Sequence, residues 1–141
     1  MNQTVRFRVD FACGCSIGPG KVALLEGIGR AGSLRQAARD LGMSYRRAWL
    51  LLDQINQSFI TAATTATVGG AGGGGAQLTP FGEELIRRYR ALERRIGSLS
   101  REALAPLAAR ARSQPQRGQA GHRSSSRRRR LSRTASAGRP D

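Results

Sequence analysis

The stretch SLRQAARDLGMSYRRAWLLLDQIN, residues 33–56, decides how the rest of the chain is read. It predicts two short helices joined by a tight glycine turn. Ser33 is a favourable N-cap, and Gln36 three residues later completes a capping box that satisfies otherwise orphaned backbone donors. Leu34, Ala37, Ala38 and Leu41 form the buried side of the first helix. Gly42 tolerates the left-handed conformation that ends it. Met43 plugs the turn, and Ser44 caps the second helix. Helices that cross steeply need small side chains where they touch. Ala38 supplies one, with Ala48 and Leu51 facing it from the second helix. The pattern is that of a helix-turn-helix, whose second helix enters the DNA major groove.

At 3.6 residues per turn the second helix divides into two faces. Tyr45, Ala48, Leu52, Ile55 and Phe59 lie on one, Arg46, Arg47, Leu50, Asp53 and Gln54 on the other. Arg46 and Arg47 occupy the first turn, where a recognition helix meets base edges. Arginine forks onto guanine, glutamine reads adenine or a phosphate, and Leu50 suits a thymine methyl. Trp49 is expected to pack against the preceding helix, as helical aromatics usually do. Ser33, Arg35, Ser44 and Tyr45 would place the helix on phosphates.

Upstream, residues 4–11 alternate Val5, Phe7, Val9 and Phe11 with polar partners, a half-buried strand. A CGCSIGPG loop follows, then a helix over residues 21–30 that ends at Gly32. Downstream, the threonine- and valine-rich residues 61–68 and the glycine run 69–76 predict a β-hairpin, the wing of a winged helix. Its glycines Gly72, Gly73 and Gly74 let backbone N–H groups approach phosphates. Thr79-Pro80 opens another helix. Leu85, Tyr89, Leu92, Ile96 and Leu99 recur along it at alternating spacings of four and three, a two-helix seam. A homodimer through a helix spanning about residues 80–105 is the expected use of that seam, with core packing inside one subunit as the alternative.

The fold class is therefore mainly α with a small β component: a winged helix-turn-helix over residues 1–112, its C-terminal helix dimerising, and a disordered Arg/Ser-rich tail over residues 113–141. The net charge is +15 and the pI about 11.8, which calls for an acidic partner, most simply double-stranded DNA. Tail and folded part are both basic. No apolar run has the length of a membrane span or the form of a signal peptide, so the cytoplasm is the expected compartment. A non-specific architectural protein driven by charge is the alternative, with arginines 127–130 on phosphates. A protein-interaction module built on the seam helix is a third.

Enzymatic chemistry is not expected. The lone histidine, His122, lies in the tail, and no carboxylate pair sits in a pocket-like context. The region around Lys21 imitates a phosphate-binding loop but has Cys15 and Val22 where that pattern needs Gly and Ser or Thr. Cys13 and Cys15 are a weak metal candidate, lacking two further ligands, or a redox switch, or simply small loop residues. No cofactor is implied.

The chain also resembles the N-terminal DNA-binding domain of the ModE family of molybdate-responsive, LysR-type-related regulators. The likeness rests on GPGKVALLEGI (18–28), GSLRQAARDLGMSYRRAWLLLDQIN (32–56), GGAGGGGAQLTPFG (69–82) and RYRALERR (88–95). It implies a recognition helix in the second segment, a wing in the third and a dimer through the terminal helices. It further implies control of molybdate-transport or molybdoenzyme genes. Family members carry molybdate-binding domains where this sequence has its basic tail, so direct molybdate binding is not expected.

Overall fold

The computed structural model describes residues 3–68 and 74–112. Its elements run β1 (Val9–Asp10), β2 (Ser16–Ile17), α1 (Pro19–Ala31), α2 (Leu34–Asp40), α3 (Tyr45–Ser58), β3 (Thr64–Thr67), β4 (Gly75–Leu78) and α4 (Pro80–Ala108). Four helices and two small antiparallel sheets make a mostly helical fold compatible with a winged helix. All of them lie in a compact unit, Met1–Arg110; Ala111–Asp141 forms a second unit. The expected tail, with its arginines 127–130, lies outside the described residues.

Helix boundaries follow their caps. Gly32 takes φ +69 and ends α1, its N–H donating to Ile28 O. Ser33 Oγ accepts from Gln36 N at 3.0 Å. Only half of the expected capping box forms, because the Gln36 amide donates forward to Asp40 Oδ1 at 2.8 Å. Gly42, at φ +66, turns the chain, and Met43 N–H reaches back to Ala38 O at 3.0 Å. Thr79 caps α4 by accepting from Gly82 N at 3.1 Å.

Two apolar clusters share α1. Leu24 and Ile28 meet Leu34, Ala37, Ala38 and Ala48, so α1, α2 and α3 join through small side chains. On the other side of α1, Val22 and Leu25 pack with Ile17, Ile55, Ala63, Leu85 and Tyr89. Leu52 borders both clusters. Edge-on contacts from Phe11 to Phe59 and from Phe59 to Phe81 close the second cluster where α3 ends and α4 begins.

The N-terminal segment differs from expectation in an instructive way. Its burial alternates from Val5 to Asp10, but strand pairing is confined to Val9 with Ile17 and Asp10 with Ser16. The rest is held by α4. The Phe7 ring stacks on Tyr89 at 4.7 Å, and the Tyr89 hydroxyl donates to Phe7 O at 2.8 Å. Burial pushes that phenol above its usual pKa, so it stays a donor.

Leu85 and Tyr89 are therefore not seam residues: both are buried in the chain's own core. The remainder of the stripe is more open, with Leu92 and Leu99 exposed and Ile96 half-buried.

An ion cluster fastens α1 to α4. Arg90 Nε and one terminal nitrogen fork onto Glu26 at 2.8 and 2.9 Å, while its other terminal nitrogen reaches both Glu93 oxygens at 2.9 Å. The hydrogen bonds from Arg90 hold the Glu26 carboxyl below its usual pKa against the opposing effect of burial. A depressed folded-state pKa adds stability that is present above the unfolded carboxylate pKa and lost as pH falls through the folded value. Arg90→Met is expected to cost about 1–3 kcal/mol near neutral pH, between exposed and fully buried pairs. In denaturant titrations over pH, that deficit should shrink below the reference carboxyl pKa of 4.5.

Candidate nucleic-acid interface

The first turn of α3 is prepared by Ser44, whose Oγ accepts from Arg47 N at 3.2 Å. That bond sets the helix start and leaves the Arg46 and Arg47 side chains in solvent. Among the described residues neither forms a salt bridge, unlike Arg8, Arg88 and Arg90. Two adjacent exposed guanidinium groups at a helix start form a local cationic patch suited to phosphate or a base edge.

Ala48 and Ile55 are fully buried and Leu52 partly so, as the wheel requires. Tyr45, placed by the wheel on the buried face, is instead 47% exposed, and Asp53 is half-buried rather than free. At the very start of α3 the core has not yet begun, so Tyr45 overhangs its edge. It turns toward α2, where the Arg35 guanidinium lies 4.8 Å from its ring centre. This cation–π contact brings Arg35 beside the first turn of α3. Asp53 accepts from Gln57 Nε2 at 2.7 Å, one turn along.

Trp49 departs most from expectation. It stands 50% exposed, with Leu50 beside it at 45%. The cluster that joins α2 to α3 is filled by Leu34, Ala37, Ala38 and Ala48, with Leu41 and Leu51 packed against it. Trp49 is one turn after Tyr45, which is also exposed. Tyr45, Arg46, Arg47, Trp49 and Leu50 thus make one outward face of mixed charge and aromatic character. Gln54 lies further along, exposed. Ser33 is half-buried and its hydroxyl is engaged in capping α2.

The hairpin beside α3 pairs Thr64 with Leu78 and Thr67 with Gly75 at its two ends. Gly74 takes φ +91 and is exposed; Gly72 and Gly73 lie outside the described residues. Asn56, which sequence reasoning missed, joins the hairpin to α3. Its Oδ1 accepts from Ala63 N at 2.9 Å and its amide nitrogen donates to Thr64 Oγ1 at 3.1 Å. A polar residue beside the buried Ile55 was the available signal. The other side of the hairpin is held by Ala76 N donating to Gly32 O at 3.0 Å.

The metal expectation for Cys13 and Cys15 is corrected: their sulfurs are bonded to each other, which removes the thiolates a metal would need. Among the described residues no group of three or more His, Cys, Asp and Glu side chains could hold a metal ion. None of the described helices is long and apolar enough to cross a membrane.

No family model matches the chain. It is 45% identical over 86 residues to the molybdenum-pterin-binding protein MopB of Rhodobacter capsulatus, covering 61% of this chain and 32% of that one. It is 36% identical over 88 residues to the molybdenum transport protein ModE of Azotobacter vinelandii, covering 62% and 33%. Against the DNA-binding transcriptional dual regulator ModE of Escherichia coli K12 it is 41% identical over 71 residues, covering 50% and 27%. The chain spans about a third of the length of these relatives. Over half or more of its own length it is a homologue of ModE and Mop proteins, which are molybdenum-linked regulators and binding proteins.

Asn56→Ala leaves the Ala63 N–H without its acceptor. It is expected to cost about 1–3 kcal/mol and to speed amide exchange in β3 and β4 selectively, measured by denaturant melts and hydrogen exchange.

Proposed function

We propose that this protein is a sequence-specific transcriptional regulator of the ModE type. It binds an inverted-repeat DNA operator as a homodimer and controls genes of molybdate transport or molybdoenzymes. The observation that carries this is the outward face of α3, where Arg46 and Arg47 are exposed and without salt bridges among the described residues, beside Trp49 and Leu50. The relatives named ModE and the net charge of +15 support it.

In this account Arg46, Arg47 and Gln54 read base edges in the major groove, and Leu50 meets a thymine methyl. Ser44, Tyr45, Arg35 and Ser33 set the depth of α3 against phosphates, with the Arg35–Tyr45 pair acting as one unit. The wing, from Gly74 back through Gly73 and Gly72, follows the neighbouring backbone. The rest of the α4 stripe, exposed Leu92 and Leu99 with half-buried Ile96 between them, meets its twin in a second copy. This spaces two α3 helices about one turn of DNA, or a multiple, apart. Chemistry at the interface is recognition only, and no catalytic step is assigned to the chain.

With an operator obtained by selection from randomised duplexes, Arg46→Ala or Arg47→Ala is expected to cost about 1–3 kcal/mol and to relax preference at one base position. Equal loss on every sequence would make these arginines backbone contacts. A steep salt dependence without any ratio of operator to random DNA would favour the architectural protein instead. The double variant Leu92→Arg/Leu99→Arg is expected to sediment as a folded monomer and to bind half-sites only weakly. A wild-type chain that sediments as a monomer at all concentrations would remove the dimer.

A further inference from the structure

The loop between β1 and β2 carries chemistry that DNA recognition does not use. Cys13 and Cys15 form a disulfide across Gly14, which takes φ +81. Hydrogen bonds already close this loop, Gly14 N–H to Phe11 O at 2.9 Å and Phe11 N–H to Cys15 O at 2.8 Å. A cross-link over one intervening residue adds little, because the unfolded-chain entropy it removes grows with the closed ring.

The surroundings are those of reactive sulfur. Cys13 is exposed and Cys15 half-buried. Both line an open cavity of about 430 Å3, shared with Ser16 and Lys21 and with Gln54 and Gln57 of α3. Lys21 is anchored there by donating from Nζ to Ser16 O at 2.8 Å. A cation beside an accessible sulfur favours the thiolate form.

The same sulfur touches the recognition helix. Cys15 Sγ lies 3.5 Å from the carbonyl oxygen of Ser58, the last residue of α3. Carbonyls in the final turn have no partner within the helix. A disulfide sulfur has no proton to give this oxygen, whereas a Cys15 thiol donates its S–H. The two redox states therefore differ in one bond to the end of α3.

We propose that Cys13–Cys15 is a thiol–disulfide exchange site for small carboxylate-bearing thiols, and that its redox state is felt at the C-terminal end of α3. The incoming thiolate attacks Cys13 Sγ, the more accessible sulfur. The S–S bond breaks, and Cys15 leaves as a thiolate that takes a proton from water. A second small thiolate attacks the mixed disulfide, freeing Cys13 and departing as the small-molecule disulfide. Two electrons pass from two small thiols to the cysteine pair, and the reverse reaction uses the small disulfide as oxidant. The Lys21 ammonium attracts the carboxylate of the incoming thiol. This chemistry needs no DNA on α3.

The test uses the full chain without denaturant, in mixtures of 3-mercaptopropionate and its disulfide. Alkylation and mass spectrometry count the thiols. The pair is expected to interconvert freely. The rate of reduction by 3-mercaptopropionate relative to neutral 2-mercaptoethanol should fall about two- to fivefold in Lys21→Gln. Amide exchange in residues 55–58 should be about twofold slower in the reduced chain. Cys13→Ser, which keeps the Cys15 thiol, should show the reduced-state protection in buffer with no small-molecule disulfide added. A pair that stays closed in excess thiol, an unchanged rate ratio in Lys21→Gln, or identical exchange in both redox states would overturn the proposal.

Discussion

The close approach of α2 to α3 through alanines is the constraint on which the rest of the structure depends. Ala37, Ala38 and Ala48 are all but sealed from solvent, and Met43 N–H bonds back to the Ala38 carbonyl across the Gly42 turn. Leu24, Ile28 and Leu34 complete the same cluster, with Leu41, Leu51 and Leu52 packed against it. Trp49, Leu50 and the paired arginines stand outside it, exposed. The exposed face of α3 is thus set by packing on its opposite side.

The remaining contacts hold that geometry from further away. α1 lies between the two apolar clusters, and the Arg90–Glu26 pair binds it to α4. At the far end of α3, Asn56 secures the base of the hairpin, while Gly32 secures the other strand. Gly82 lets α4 start hard against the hairpin base, since a Cβ there would overlap the Ala63 carbonyl oxygen. The helix and the hairpin beside it are therefore positioned by one continuous set of backbone-directed bonds.

The local signals were legible in the sequence. Ser33, Ser44 and Thr79 cap helices, and Gly32 and Gly42 end turns, because caps and left-handed positions depend on residues only a few places apart. What escaped depends on distant partners. Periodicity shows that Leu85 and Tyr89 are apolar-faced, but not that Phe7, some eighty residues earlier, stacks on Tyr89 and packs against their cluster. Residue type points Trp49 inward, whereas half of its surface stays exposed. Asn56 looked like an ordinary end-of-helix polar residue until β3 was seen to come within reach of its amide. The disulfide could not be foreseen either, because two cysteines in a glycine loop fit several uses equally.

Function rests on the single claim that the outward face of α3 is covered by duplex DNA. The chain's sole tryptophan is Trp49, half exposed at the centre of that face. Its fluorescence therefore reports on the contact without a label. Titration with selected operator duplex should shift the emission and shield the indole from acrylamide, at the same DNA concentration that saturates binding. Saturated binding with Trp49 still fully open to the quencher would show that DNA lies elsewhere on the protein, and the account would fail.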